Sequence, residues 1–325
     1  MKMLAEDLKN QSFKNSYLLF GEEAYLRTQY KNRLKNALAD KEDTMNVSHF
    51  EGKGINPNEI IDLAETLPFF ADHRLILIEN SNFFKNKCEE LADYLPTMPA
   101  STCLVFVETE VDKRNRLYKA VKKYGRIVEF QTQDERTLMK WILGTLKKEG
   151  KQITEPTLRL FLEHTGTDME NISMELEKLL SYTWNRDTVT SEDVREICTV
   201  QTTNRIFDMI RAIAEKKQQE ALNLYYDLLA LKEPPMRILF LIARQFNQLL
   251  LVKSLVVKGY DRSAIASTAK IAPFIASRCI SQAKSFTQEQ LEAAVRDCVD
   301  TEEAVKTGRI ADVMSVELLI IKYSQ

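Results

Sequence analysis

The residues of this chain seldom fall into arrangements that do chemistry. A nucleotide site would be sought at the turn after the first apolar run, Phe20-Gly21-Glu22-Glu23-Ala24-Tyr25. A phosphate-binding loop needs several glycines, so that backbone N–H groups can wrap the phosphates. It also needs a Lys for the outer phosphates and a Ser or Thr for magnesium. Here one glycine precedes two carboxylates, which repel a triphosphate, and GxGxxG is absent as well. Glu79 and Glu108 close two further apolar runs and resemble magnesium-binding acids. Without a phosphate cradle they are expected to be solvated strand ends. His49, His73 and His164 have no metal-ligand spacing with Cys88, Cys103, Cys198, Cys279 or Cys298, and no CxxC or GxSxG occurs. No metal, no cofactor and no catalytic residue is expected.

What remains is surface. Leu67-Pro68-Phe69-Phe70-Ala71 places two adjacent aromatics between a helical pattern, Asn58 to Glu65, and an apolar run, Leu75 to Ile78. Neighbouring Phe residues on an irregular turn do not readily face one core. One ring can protrude as a hydrophobic anchor of the kind that dominates interface energetics; packing of both beneath a sheet fits the pattern equally. Between Asp112 and Arg126, Lys113, Arg114, Arg116, Lys119, Lys122, Lys123 and Arg126 face one acid. Lys119, Lys122 and Lys123 could track a phosphate backbone, and an ordinary solvated helix face looks the same. From Leu231 to Ser285 nine basic residues stand against two acids, and from Phe286 to Gln325 four against eight. That split can complement partner subunits or cancel within one bundle.

The elements that position these residues follow from composition and pattern. With 325 residues, 44% hydrophobic and 28% charged, the chain is long enough for two or three domains. Lys+Arg number 45 and Asp+Glu 47, so neither a basic nucleic-acid coat nor an acidic tail is indicated. Up to about residue 133, strand and helix alternate. Tyr17 to Phe20, Leu75 to Ile78 and Leu104 to Val107 read as strands buried on both faces of a parallel sheet, with Val47 to Phe50 and Arg126 to Phe130 weaker. Helical patterns lie between them at Glu22 to Asp40, Asn58 to Glu65, Phe84 to Leu95 and Asp112 to Tyr124.

After residue 134 strand signals stop. Glu135 to Glu149, Glu155 to His164, Met169 to Trp184 and Ser191 to Thr199 read as short helices, the last with Thr190 and Asp193 as a capping box. A longer helical block follows: Ile206 to Glu215, Gln219 to Leu231, Pro234 to Lys258, Asp261 to Thr268, Ala272 to Ser285, Thr287 to Lys306 and Ile310 to Tyr323. The helix from Pro234 is apolar almost all round and is expected at the centre of its bundle. Its polar interruptions argue against a membrane span. The polar start, Met1 to Asn10, does not read as a signal peptide.

Taken together, the stretches resemble the delta subunit family of bacterial DNA polymerase III. The resemblance runs through the whole chain. It rests on Tyr17-Leu-Leu-Phe-Gly-Glu-Glu-Ala-Tyr-Leu26, Leu67-Pro-Phe-Phe-Ala-Asp-His-Arg-Leu75 and Lys113-Arg-Asn-Arg-Leu-Tyr-Lys119. It continues in Gly166-Thr-Asp-Met with Glu175-Leu-Glu-Lys-Leu179, in Arg244-Gln-Phe-Asn-Gln-Leu-Leu250 and in Asp300-Thr-Glu-Glu-Ala-Val-Lys-Thr-Gly308. It implies an α/β plus all-α protein of three domains: an AAA+-like α/β domain with a parallel sheet (1–133), a small helical lid (134–202) and a helical collar (203–325). It further implies a cytoplasmic, non-catalytic member of the polymerase (nucleotidyltransferase) holoenzyme, in a five-subunit loader with the tau/gamma ATPase subunits and delta prime. Such a protein binds the sliding clamp (beta subunit) and opens it for loading onto primer-template DNA, using a hydrophobic wedge that maps onto Leu67, Phe69 and Phe70. Pro68 within that stretch stiffens it by fixing φ. Ser277-Arg278-Cys279 resembles the arginine finger of clamp-loader ATPases but lies in the wrong domain, and is read as chance with Cys279 or Ile280 facing the core. A degenerate AAA+ protein that retains nucleotide binding, or a DNA-binding scaffold, are the alternatives.

Overall fold

The computed structural model describes every residue except 1, 41, 42, 201 and 272. The chain forms two compact units, residues 1–133 and 134–325. The first holds α1 (Lys2–Asn10), β1 (Ser16–Phe20), α2 (Ala24–Leu38), β2 (Val47–Glu51), α3 (Pro57–Ala64), β3 (Arg74–Glu79), α4 (Glu89–Tyr94), β4 (Thr102–Glu108), α5 (Arg116–Tyr124) and β5 (Arg126–Glu129). Its five strands are all parallel, in the order β2-β3-β4-β1-β5. The three continuous apolar runs became the three central strands, β3, β4 and β1. Helices cover both faces there, so every side chain of β1 and β4 is buried. β2 and β5 lie at the edges and are half-exposed, which is why their sequences carry His49, Glu51, Arg126 and Glu129.

Two boundaries differ from the pattern. The helix expected over Phe84 to Leu95 is regular only from Glu89. Residues 83 to 86 form a turn and bend, and 87 and 88 are irregular, where the Asn115 side-chain amide donates to the carbonyls of Phe83 (3.1 Å) and Asn86 (2.7 Å). The same Asn115 caps α5 through its side-chain oxygen and so starts that helix at Arg116, not Asp112. The N-terminal α1 was not expected as a helix. Leu4 is buried, and Arg126 donates to both carboxylate oxygens of Asp7 (2.9 and 2.7 Å), while Tyr17 Oη donates to Asp7 at 3.2 Å.

The second unit comprises α6 (Glu135–Lys148), β6 (Gln152–Ile153), α7 (Glu155–Thr165), α8 (Met169–Tyr182), β7 (Thr188–Val189), α9 (Ser191–Ile197), α10 (Thr202–Ala214), α11 (Gln218–Ala230), α12 (Pro235–Val257), α13 (Arg262–Thr268), α14 (Pro273–Ala283), α15 (Gln288–Lys306) and α16 (Asp312–Ser324). The α/β plus all-α class is therefore observed. Strands do not stop altogether at residue 134: β6 and β7 pair in parallel over two residues each, too few to leave a period in the sequence. Thr190 and Asp193 form the capping box that opens α9. The expected helix start at Ala272 lies outside the described residues.

Helix α12 packs against α10, α13, α14, α15 and α16, so it is central. It is not buried all round, however. Ile238, Ile242, Phe246, Leu249 and Val252 fill the core, whereas Phe240, Leu251 and Val257 are exposed. By length and composition α12 could cross a bilayer. Packing against five helices of its own unit is the behaviour of a core helix. All five cysteines are buried free thiols, and burial pushes Cys88 and Cys279 up to about 11. Cys279 does face the core, while the Arg278 guanidinium sits 4.0 Å over the Phe207 ring.

Candidate protein-binding site and the turn after the first strand

The turn after β1 uses its amides internally. Gly21 N–H donates to the Thr109 carbonyl (3.2 Å) and Glu23 N–H to the Phe130 carbonyl (3.1 Å). Gly21 is required because φ is +126° and a Cβ there would lie 2.2 Å from the Phe130 carbonyl oxygen. Amides bonded to carbonyls cannot also cradle a phosphate. Magnesium-ATP is accordingly expected not to bind in the micromolar range. Calorimetric titration checks this, and saturable binding lost on substitution at Glu22 or Glu23 would overturn it.

The strand-end acids are not the solvated groups that the sequence suggests. Glu79 accepts from Lys31 Nζ (2.7 Å) and approaches His49 Nε2 at 2.8 Å. Burial works against its ionisation, but Lys31 and His49 outweigh burial and hold its carboxyl below the ordinary value. Glu108 is only 3% exposed and accepts from the Ser81 amide (2.9 Å) and hydroxyl (2.5 Å). Both acids were captured by side chains or amides distant in sequence, which strand-end position alone does not reveal. For Glu108 burial dominates and raises the pKa, opposed by the Ser81 and Asn82 donors. A carboxyl raised in the folded state costs stability when ionised and recovers it as pH falls through the raised value. Glu108→Gln keeps an acceptor without the charge. Its melting temperature relative to wild type is therefore expected to be more favourable at pH 8 than at pH 5. Thermal unfolding at both pH values checks the sign, and the opposite trend would show the carboxylate to be stabilising.

The aromatic turn joins α3 to β3. Both rings stand outside the core: Leu67 is 79% exposed, Phe69 57% and Phe70 96%. The rings meet edge to face, with centroids 4.6 Å apart and planes at 79°. Phe70 has φ +49°, a left-handed conformation uncommon for a bulky residue. What holds the turn lies beneath it. The buried Arg74 side chain donates to the carbonyls of Thr66 (3.0 Å), Leu67 (3.0 Å) and Met45 (3.5 Å). The buried Asn46 side chain accepts from Phe69 N–H (2.6 Å) and donates to the Phe69 carbonyl (2.9 Å). Asp43 in turn accepts from the Asn46 side chain and backbone, at 2.8 Å each, which keeps its carboxyl below the ordinary value.

Sequence reasoning placed the aromatics and missed Asp43, Asn46 and Arg74. No local signal marks them: Asn46 and Phe69 are 23 positions apart.

On α5, Lys119, Lys122 and Lys123 are exposed on one face, and Lys123 Nζ lies 4.8 Å from the Tyr124 ring centroid. The rest of the basic run is paired: Lys113 with Glu129, Arg114 with Asp112, Arg116 with Asp93, and Arg126 with Asp7. Among the described residues no group of His, Cys, Asp and Glu could hold a metal ion.

The first unit thus combines a parallel α/β sheet, a turn after β1 whose amides bond to carbonyls, and an exposed aromatic tip of the kind a protein partner can cover. The family model for the DNA polymerase III delta subunit matches residues 17–131, and the model for the C-terminal domain of that delta subunit matches residues 203–323. The DNA polymerase III subunit delta of Bacillus subtilis (strain 168) is 28% identical over 98% of this chain and 95% of its own length. The probable DNA polymerase III subunit delta of Aquifex aeolicus (strain VF5) is 22% identical over 85% of this chain and 81% of its own. Among solved structures, the Bacillus subtilis DNA clamp loader delta protein superposes with a TM-score of 0.74 at 26% identity, covering 99% of both chains. The chain belongs to the DNA polymerase III delta subunit family, and its parallel α/β unit and helical remainder share the fold of the clamp-loader delta protein.

Proposed function

We propose that this chain is the non-catalytic loader component that binds the sliding clamp and holds it open for loading onto primed DNA. Leu67, Phe69 and Phe70 form the anchor. The observation that carries this reading is the aromatic tip: two Phe rings exposed to solvent on a fixed turn cost free energy in the isolated protein, and a partner pocket recovers it. The partners are the clamp, the tau/gamma ATPase subunits and delta prime, in the bacterial cytoplasm.

The helical remainder, divided into a lid (134–202) and a collar (203–325), would hold the neighbouring loader subunits. Among the described residues no salt bridge joins the basic stretch 231–285 to the acidic stretch 286–325, which supports a role for the exposed part of this charge split toward neighbours. DNA contact through Lys119, Lys122 and Lys123 would be weak and non-specific. Each phosphate contributes a salt slope of roughly −0.9, so three such contacts fade quickly with salt. Capture of the purified sliding clamp by the purified chain tests the reading; no complex at micromolar concentrations would sink it.

A further inference from the structure

Residues 66–73 lie outside helix and strand, yet the tip they carry is held at every turn by side chains from elsewhere. Arg74 makes no salt bridge among the described residues, although, after the Asn46 bonds, its charge helps hold the Asp43 carboxyl below its ordinary value, and a buried guanidinium needs its donors satisfied. Its three donors go to carbonyls of the turn and of Met45. Asn46 engages both the N–H and the C=O of Phe69, the pairing a neighbouring strand would supply. Asp43 fixes the Asn46 amide from behind. These bonds hold the turn in the conformation that places Phe70 in the left-handed region.

We propose that Asp43, Asn46 and Arg74 are positioning residues that pre-organise the aromatic tip, and that affinity for the clamp depends on this preformed geometry. The inference rests on the clamp-binding reading above and deepens it. A turn of this length without such ties samples many backbone states, and binding must then supply the ordering entropy. The ties meet that cost during folding. Arg74 and Asn46 act through the backbone of residues 66–69, and Asp43 acts through Asn46.

The test is a double-mutant cycle on the full chain, read by clamp affinity, melting temperature and amide exchange. Asn46→Ala is expected to weaken clamp binding roughly tenfold. It should also expose the Phe69 amide to exchange while the β3 amide of Ile76 stays protected. In the Phe70→Ala background the same substitution should cost clearly less affinity than in wild type, because the more exposed of the two rings is no longer there to present. Asp43→Ala, at a half-buried site, cuts the same chain of bonds at its far end and must show the pattern in smaller measure. Should Asn46→Ala fail to fold, the same criteria apply to Asp43→Ala.

Wild-type affinity alongside a freely exchanging Phe69 amide overturns the proposal while leaving the wedge intact. An equal loss with and without Phe70 also overturns it. Wild-type affinity of Phe70→Ala alone removes the clamp-binding reading and this inference with it.

Discussion

Phe69→Ala combined with Phe70→Ala is expected to reduce clamp binding to the limit of detection and leave the fold intact. An aromatic hot spot costs about 2 kcal/mol or more on truncation, which is roughly 30-fold in affinity. The two losses should not simply add. The rings touch edge to face at 4.6 Å, so removing one also unseats the other. Stability should barely change, because both rings lie outside the core. A core Phe truncated to Ala costs about 3–5 kcal/mol, which lowers a melting temperature by many degrees. Clamp affinity and thermal unfolding of the same protein therefore decide the matter together. Lost binding at an unchanged melting temperature supports the anchor, and full binding by a folded double mutant rules it out. A large fall in melting temperature would mean that the rings are needed by the fold.

What could be read in advance follows a physical line. Strands β1, β3 and β4 were legible because a strand buried on both faces must be apolar at every position, and such a run stands out in any polar surrounding. The aromatic pair was legible as an oddity. Its orientation was not, since two adjacent Phe residues suit a core as well as a surface until the backbone is known. Helix α1 was missed because an ionic tie holds it as much as an apolar stripe does: Asp7 meets Arg126 across 119 positions. Asn46 and Arg74 were missed for a related reason, since their partners are backbone atoms. A backbone carbonyl has no residue type, and no composition or spacing announces that it will be needed. Glu108 shows the same limit from the other side, because a strand-end acid becomes a buried one only once Ser81 folds over it.

The largest all-or-none effect is expected from cutting the chain between residues 133 and 134. Residues 1–133 form a unit with its own sheet and its own core, in which Phe84 and Phe106 meet edge to face at 5.1 Å. They also carry the whole aromatic turn and every residue that holds it. This fragment should fold, bind the clamp close to full-length affinity, and fail to co-purify with the ATPase subunits. The complementary fragment, 134–325, should do the reverse. A cut at residue 203, where lid and collar are proposed to meet, is the worse experiment. Asn204 donates to the Glu163 carbonyl, and a cavity of about 270 Å³ is lined by Thr167 together with Thr203, Arg244 and Lys270, so that cut severs one packed unit. Exposed core from such a cut would cause aggregation whatever the collar does. With the cut at 133, each outcome has one meaning. A fragment that still assembles with the ATPase subunits refutes the assignment of assembly to the helical unit. A folded fragment that no longer holds the clamp shows that the aromatic tip is not sufficient.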